Sequence, residues 1–189
     1  IKTLLIEKNR HCGGESSLRN TGQIAGGIYY KTGSLKSKLA NNGKKYLYAF
    51  CKKNKIKHKK VGQLFLALND KSVLNLNKIY NLGKKNKVKG LKKINSQQVK
   101  KIEPNIITKG AILSTSTGVF DSLSFMKKIY TLYKNNGGHY LSNTKFIYSN
   151  WDKKNHLWSI NTNNKKTIKS RIIINAAGLH SLDILKKIF

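Results

Sequence analysis

The sequence predicts an α/β fold: a Rossmann-like domain, discontinuous along the chain, interrupted by an inserted α+β domain. Three observations carry this. A nearly continuous apolar strand, Thr3-Leu4-Leu5-Ile6, closes on an acid and runs into a glycine-rich loop, as strands of parallel sheets do. Helix and strand patterns then follow one another through a mixed middle segment. A late strand runs into the small-residue turn Ala176-Ala177-Gly178, which suits close approach of backbone to a ligand. The chain has 189 residues, of which 39% are apolar. That is enough for one large domain or parts of two, and it excludes a wholly disordered polycation.

Each element has a local reason. Lys2 to Glu7 reads as a buried strand. The polar stretch Cys12 to Gly22 offers backbone N–H groups and close approach. Ser34 is an N-cap for a helix to about Asn54, with Leu35, Leu39, Tyr46, Leu47 and Phe50 expected on its core side. Val61 to Leu68 reads as a strand, and Asn69-Asp70 caps a helix over Ser72 to Asn86. A short helix over Ser96 to Lys101 stops before Glu103-Pro104, because the residue before proline disfavours helix. Gly110 to Leu113 is a further strand. Asp121 or Ser122 caps a helix over Leu123 to Asn135, which Gly137-Gly138 ends. Three strands follow, Phe146 to Asn150, His156 to Thr162 and Ile168 to Asn175, and the turn after them leads to a helix ending on Leu185-Lys186-Lys187-Ile188-Phe189. Starting inside an apolar run and ending in a helical turn, the chain reads as an internal piece of a longer protein, without a readable targeting signal.

The 38 basic and 7 acidic side chains give a net charge of +31. Arginine occurs only at Arg10, Arg19 and Arg171, which leaves 35 Lys beside 21 Asn. Lys and Asn share A-rich codons, so compositional drift explains both, whereas base and phosphate readers favour the planar fork of Arg. No specific nucleic-acid site is expected, and a lysine-rich nucleic-acid module stays as the alternative reading. No apolar run reaches the roughly eighteen residues of a membrane-spanning helix. Cys12 and Cys51 read as free thiols, and the five histidines lack metal-ligand spacing, so no metal is expected.

Glu7 ends its strand where Rossmann-type domains hold a ribose diol. The glycine fingerprint of such domains lies about twenty residues earlier, so the domain is expected to lack its first strand here. The segment Asn20-Thr21-Gly22-Gln23-Ile24-Ala25-Gly26-Gly27-Ile28-Tyr29-Tyr30-Lys31-Thr32-Gly33-Ser34-Leu35-Lys36 is more specific. It resembles the L-2-hydroxyglutarate dehydrogenase/oxidase family, within the D-amino-acid-oxidase-like flavoproteins, which reads approximately N-S-G-V-I-H-A-G-I-Y-Y-x-P-G-S-L-K at this point. The resemblance continues, in order, through Tyr48-Ala49-Phe50-Cys51, Val61-Gly62-Gln63-Leu64, Ile102-Glu103-Pro104, Ser116 to Ser122 and Asn175 to Ser181.

The resemblance implies an FAD enzyme that oxidises a small 2-hydroxy acid to the 2-oxo acid and passes electrons to quinone or oxygen. It implies residues 1–58 and 121–189 as the two parts of the FAD domain and 59–120 as the substrate domain, in a cytoplasmic protein with peripheral contact at the inner membrane allowed. Carried over by position, Glu7 binds the adenosine ribose; Asn20, Thr21 and Gly22 lie along the flavin; Phe146 flanks the adenine through its backbone; Ala177 and Gly178 approach the diphosphate. Ala25 departs from the family, which has His there, and alanine offers no general base. His180 and Tyr30 are the weak catalytic candidates. Tyr29 and Tyr30, read as strand, face opposite ways, and Lys36 and Lys38 are candidates to pair a substrate carboxylate. Loss of catalysis, leaving a flavoprotein relic, is the remaining alternative. The piece alone is expected to be inactive.

Overall fold

The computed structural model describes residues 1–188; Phe189, the end of the expected last helix, lies outside the described residues. Strand β1 (Leu4–Ile6) is followed, after the loop of residues 8–22, by β2 (Gln23–Ile24). Helix α1 (Leu35–Lys53) begins where the Ser34 hydroxyl accepts the Ser37 N–H at 3.2 Å and ends at Asn54. β3 (His58–Lys59) and β4 (Gln63–Ala67) lead to α2 (Asp70–Lys85). Its start is a reciprocal capping box: Ser72 N–H donates to Asn69 Oδ1, and Asn69 N–H to Ser72 Oγ, both at 2.9 Å. β5 (Leu91–Asn95) enters α3 (Ser96–Ile102) through the same device, made by Asn95 and Gln98. β6 (Gly110–Ser114), β7 (Gly118–Phe120) and α4 (Ser122–Asn135) follow, with Asp121 Oδ1 accepting the Ser124 N–H at 3.0 Å. β8 (His139–Leu141), β9 (Phe146–Asp152), β10 (Leu157–Thr162) and β11 (Thr167–Ser170) come next. A single 3-10 turn over Gly178–His180 and α5 (Ser181–Leu185) close the described chain.

Two compact units result, Ile1–Asn20 with the chain from Met126 on, and Thr21–Phe125. In the first, β1 pairs in parallel with β8, Leu4 opposite His139, and β9, β10 and β11 form an antiparallel meander with β10 central. In the second, β7 lies between β2 and β3, and β6 between β4 and β5, all antiparallel. Its core is Ile28, Val88, Leu91 and Ile112, with Phe65, Leu76, Ile79 and Tyr80 packed against them.

The expected boundaries are 58/59 and 120/121, whereas the compact units divide after Asn20 and Phe125. The reason is strand pairing: β2, before residue 59, and β3, which straddles the 58/59 boundary, use the two edges of β7. Two expectations about single elements are corrected. Leu35, Leu39 and Tyr46 are exposed, at 70%, 60% and 75%, while Ser37 and Cys51 are buried. The helix is turned by three bonds from its polar side: Asn41 Nδ2 to the Asn86 carbonyl at 2.8 Å, Lys44 Nζ to Ser116 Oγ at 2.8 Å and Tyr48 Oη to the Ser116 carbonyl at 3.3 Å. The strand expected over Ile168 to Asn175 stops at Ser170. Ser170 sits opposite Trp158 near the start of β10, and beyond it the Ser170 hydroxyl turns back onto the backbone of Ile172.

Candidate functional site

In the first unit, Glu7 follows β1 at its C-terminal end, the end at which open α/β sheets form ligand crevices. Its N–H donates to the Leu141 carbonyl at 2.9 Å and its own carbonyl accepts the Thr144 N–H at 2.8 Å. Its Oε1 accepts the Asn9 N–H at 2.8 Å. The loop that follows has no helix or strand and is held by side chains. Arg19 Nε donates to the Gly14 carbonyl at 3.1 Å, and Asn20 Nδ2 donates to the carbonyls of Ser16 and Ser17 at 3.0 and 2.7 Å. Gly13, at φ +76°, lies so close to Met126 that a Cβ would meet its Cε at 2.7 Å.

Lys8 Nζ lies 2.7 Å from Glu15 Oε1 and donates to His180 Nε2 at 3.0 Å; Asn9 Nδ2 donates to Glu15 Oε1 at 3.3 Å. The bond from Lys8, then that from Asn9, holds the Glu15 carboxyl below the usual carboxylate range. Because a lysine ammonium can only donate, His180 Nε2 is the acceptor in this contact. His180 N–H donates to the Ala177 carbonyl at 3.0 Å, and Ser181 Oγ to the Gly178 carbonyl at 2.7 Å. Gly178 has φ +56°, and a Cβ there would find no heavy atom within 4 Å, so its backbone faces open space. A cleft of about 350 Å³ is lined by Asn9, Arg10, His11, Gly14, Glu15 and Arg19, which includes two of the chain's three arginines. The Cys12 thiol in this loop is pushed up by burial and then by the Glu7 carboxylate, so it is no ready thiolate. Phe146 opens β9, two residues beyond Thr144, and pairs with Thr162 at an irregularity in the ladder.

Glu7, Ala177, Gly178 and His180 are thus brought to one neighbourhood, with Lys8 as the link. The sequence patterns do not single out Lys8, Asn9, Glu15 or Arg19. The available signal was an acid inside a glycine- and serine-rich loop of a chain with 7 acids.

In the second unit, Thr21 is exposed and Gly22 is buried. A Cβ on Gly22 would lie 2.6 Å from the Phe120 carbonyl oxygen, so glycine is what allows the Phe120 N–H to reach the Gly22 carbonyl at 2.9 Å. Ala25 is half-buried. Gly26 and Gly27 leave little room beside it: both are buried, and Thr117 Oγ1, bonded to Ser114 Oγ at 2.8 Å, would stand 3.4 Å from a Cβ on Gly26. A larger side chain at Ala25 can use only its exposed side. Tyr29 and Tyr30 are in a turn rather than a strand, so they do not face opposite ways; their rings meet edge-on at 5.0 Å. Asn86 Nδ2 makes that turn by donating to the carbonyls of Gly27 and Tyr30 at 3.3 and 2.7 Å. Lys36 Nζ lies 4.7 Å from the Tyr30 ring centre, and Lys38 is exposed. Lys44, half-buried against Ser116, is lowered by burial and by the nearby Lys60 and Lys45. Among the described residues no three of His, Cys, Asp and Glu converge as a metal site would require.

Known proteins are similar to this chain in sequence or in fold. L-2-hydroxyglutarate dehydrogenase, mitochondrial, of Nematostella vectensis is 34% identical over 194 residues, covering 97% of this chain and 42% of its own length. The protein of that name from Homo sapiens is 29% identical, over 94% of this chain and 40% of its own. The chain therefore spans about two-fifths of the length of these curated relatives. L-alpha-glycerophosphate oxidase from Mycoplasma pneumoniae, solved with FAD bound, superposes with a TM-score of 0.84 at 22% identity, over 92% of this chain and 47% of that one. Glycine oxidase from Geobacillus kaustophilus does so with a TM-score of 0.87 at 14% identity, over 98% and 51%. These two likenesses show the α/β fold. The model of one family, described as FAD dependent oxidoreductase, matches residues 1–188, and with it the resemblance read from the motifs is borne out: the chain belongs to the DAO family of FAD-dependent oxidoreductases.

Proposed function

We propose that the protein containing this chain oxidises a small 2-hydroxy acid of the L-2-hydroxyglutarate type to the 2-oxo acid, with FAD as its cofactor. The observation that carries the reading is similarity to L-2-hydroxyglutarate dehydrogenases along 97% of the chain. The residues of the first unit fit the adenosine diphosphate half of that cofactor. A carboxylate at a strand end accepts ribose hydroxyls, and the open backbone at Gly178 admits a diphosphate that a side chain would keep away. Glu7, Phe146, Ala177 and Gly178 would hold that half, and Asn20, Thr21 and Gly22 would lie along the flavin. Bound FAD supplies the two-electron acceptor that no side chain has.

The chain's own part is to orient the substrate and move its hydroxyl proton. Ala25 cannot take that proton. His180 is a poor base because its Nε2 already accepts from Lys8 at 3.0 Å. The half-buried Tyr30 hydroxyl stays as the candidate, and Lys36 or Lys38 would pair a substrate carboxylate. Quinone or oxygen would then reoxidise the flavin. No helix among the described residues is long and apolar enough to cross a membrane. Use of quinone would bring a cytoplasmic protein to the inner membrane surface, where a +31 chain is drawn to anionic headgroups. Ala25 favours one second reading, a flavoprotein that keeps the fold and has lost this catalysis.

The test is anaerobic stopped-flow of the full-length protein mixed with L-2-hydroxyglutarate, following the bound-flavin absorbance. Bleaching on mixing supports the reading. A stable flavin spectrum that the hydroxy acid leaves unchanged refutes the substrate class. A protein that takes up no flavin refutes the cofactor.

A further inference from the structure

We infer that Lys8, Glu15 and His180 act as a positioning clasp, which holds the loop after β1 against the Ala177–Gly178 turn and so pre-forms one wall of the cofactor site. The inference rests on the cofactor reading above. One ammonium serves two acceptors: Lys8 Nζ lies 2.7 Å from Glu15 Oε1 and 3.0 Å from His180 Nε2. Glu15 Oε2 lies 3.7 Å from the same imidazole nitrogen, which as an acceptor takes no bond from it, so Lys8 carries the link. The contact thereby joins residues 172 positions apart in the sequence.

Both joined segments need such a tie. Residues 8–22 carry no helix or strand; backbone bonds from Asn143 and Phe120 hold the loop at Asn9 and Gly22, and between these points its place rests on local turns, side-chain bonds and Gly13 seated under Met126. The turn has the Ala177 N–H donating to Asn175 Oδ1 at 3.3 Å and Gly178 in the left-handed region, which is local geometry without a sheet partner. A ligand that must order a loop on binding loses affinity by the cost of that ordering, and a preformed loop avoids it. Glu15 is also tied to Asn9, whose N–H rests on the Glu7 carboxylate, so the clasp reaches the ribose-binding acid through one residue. His180 serves here as the acceptor of the Lys8 bond. Replacing the acceptor, rather than a base, is what should matter.

The clasp is tested in the full-length protein with four variants: His180→Phe, which keeps a ring without an acceptor; His180→Gln, which keeps a neutral acceptor oxygen; Lys8→Met; and the double variant Lys8→Met/His180→Phe. Two measurements are made on each. One is the dissociation constant of added FAD for the apoprotein, from flavin fluorescence. The other is the rate of tryptic cleavage after Arg10 and Arg19 without FAD, by mass spectrometry. His180→Phe and Lys8→Met should each raise both quantities about three- to tenfold, the range for one partly exposed charged hydrogen bond. His180→Gln should stay within about twofold of wild type, and the double variant should be no worse than the worse single one. Unchanged values in His180→Phe, a Gln variant as impaired as Phe, or a double variant equal to the product of the singles would each overturn the clasp. If the wild type binds no FAD, the cofactor reading fails; the cleavage rates then decide the clasp, and protection that His180→Phe does not alter overturns it.

Discussion

Two helix glycines give opposite predictions for the same substitution. Gly43 lies inside α1, exposed, and a Cβ there would meet nothing within 4 Å. Gly43→Ala therefore gains only the helix term, about 0.5–1 kcal/mol of stability. Gly83 lies inside α2, buried, where a Cβ would stand 2.6 Å from Leu91 Cδ1 and 2.7 Å from Ile28 Cγ1. Those side chains belong to the core cluster with Val88 and Ile112, with Ile28 only 2% exposed. Overpacking a filled core costs about 1–3 kcal/mol, which exceeds the helix gain and leaves Gly83→Ala destabilising by roughly 1 kcal/mol. At about 2–4 °C per kcal/mol for roughly 150–250 residues, and less for the longer full-length protein, the two variants should move Tm in opposite directions by roughly one to two degrees. Calorimetry of the full-length protein reads this directly. A Gly83→Ala protein as stable as Gly43→Ala would show that Leu91 and Ile28 move aside at no cost, and the packing argument would fail. Displacement of Ile28 should also disturb the adjoining Tyr29–Tyr30 turn, which carries the candidate base, lowering kcat for the hydroxy acid more than it raises KM.

Glu7→Ala in the full-length protein should weaken FAD binding by about 1.5–3 kcal/mol, the range for hydrogen bonds to a charged group, and an unchanged affinity in equilibrium titration would make Glu7 a surface residue only. If the missing imidazole limits the chemistry, Ala25→His should speed flavin reduction by L-2-hydroxyglutarate by up to about 10²–10⁴; fast reduction by the wild type with no gain from His would sink that idea. The Glu15 carboxyl is held low by Lys8, so its contribution exists above the ordinary carboxylate range and is lost as pH falls through the lowered value. The stability difference between wild type and Glu15→Gln should accordingly be flat from pH 7 to about 5 and shrink below about pH 4. A difference that grows on acidification would show that the Lys8 pairing does not operate.

The features legible in the chain were those made by neighbours in sequence. Ser34, Asn69 and Asp121 cap their helices by reaching three residues ahead, a distance that sequence spacing contains. Glu7 closes an apolar run, and the motif from Asn20 to Lys36 is contiguous, so the family and the odd Ala25 were readable without coordinates. Length and tertiary pairing hid the rest. β2, β3 and β7 are 2, 2 and 3 residues long, too short for any periodicity, and exist because β7 offers both edges. β5 reads Leu-Lys-Lys-Ile-Asn, and it becomes a strand through its full register with β6. The face that α1 buries was decided by bonds to Ser116, about seventy residues away, against its own apolar pattern. Tyr29 and Tyr30 turn because Asn86 draws their backbone in. Lys8 is one lysine among 35 until the fold sets His180 beside it. A cap or a motif is a property of a segment, whereas a strand partner or a salt bridge depends on which distant segment the core brings within about 3 Å, and no local pattern encodes that.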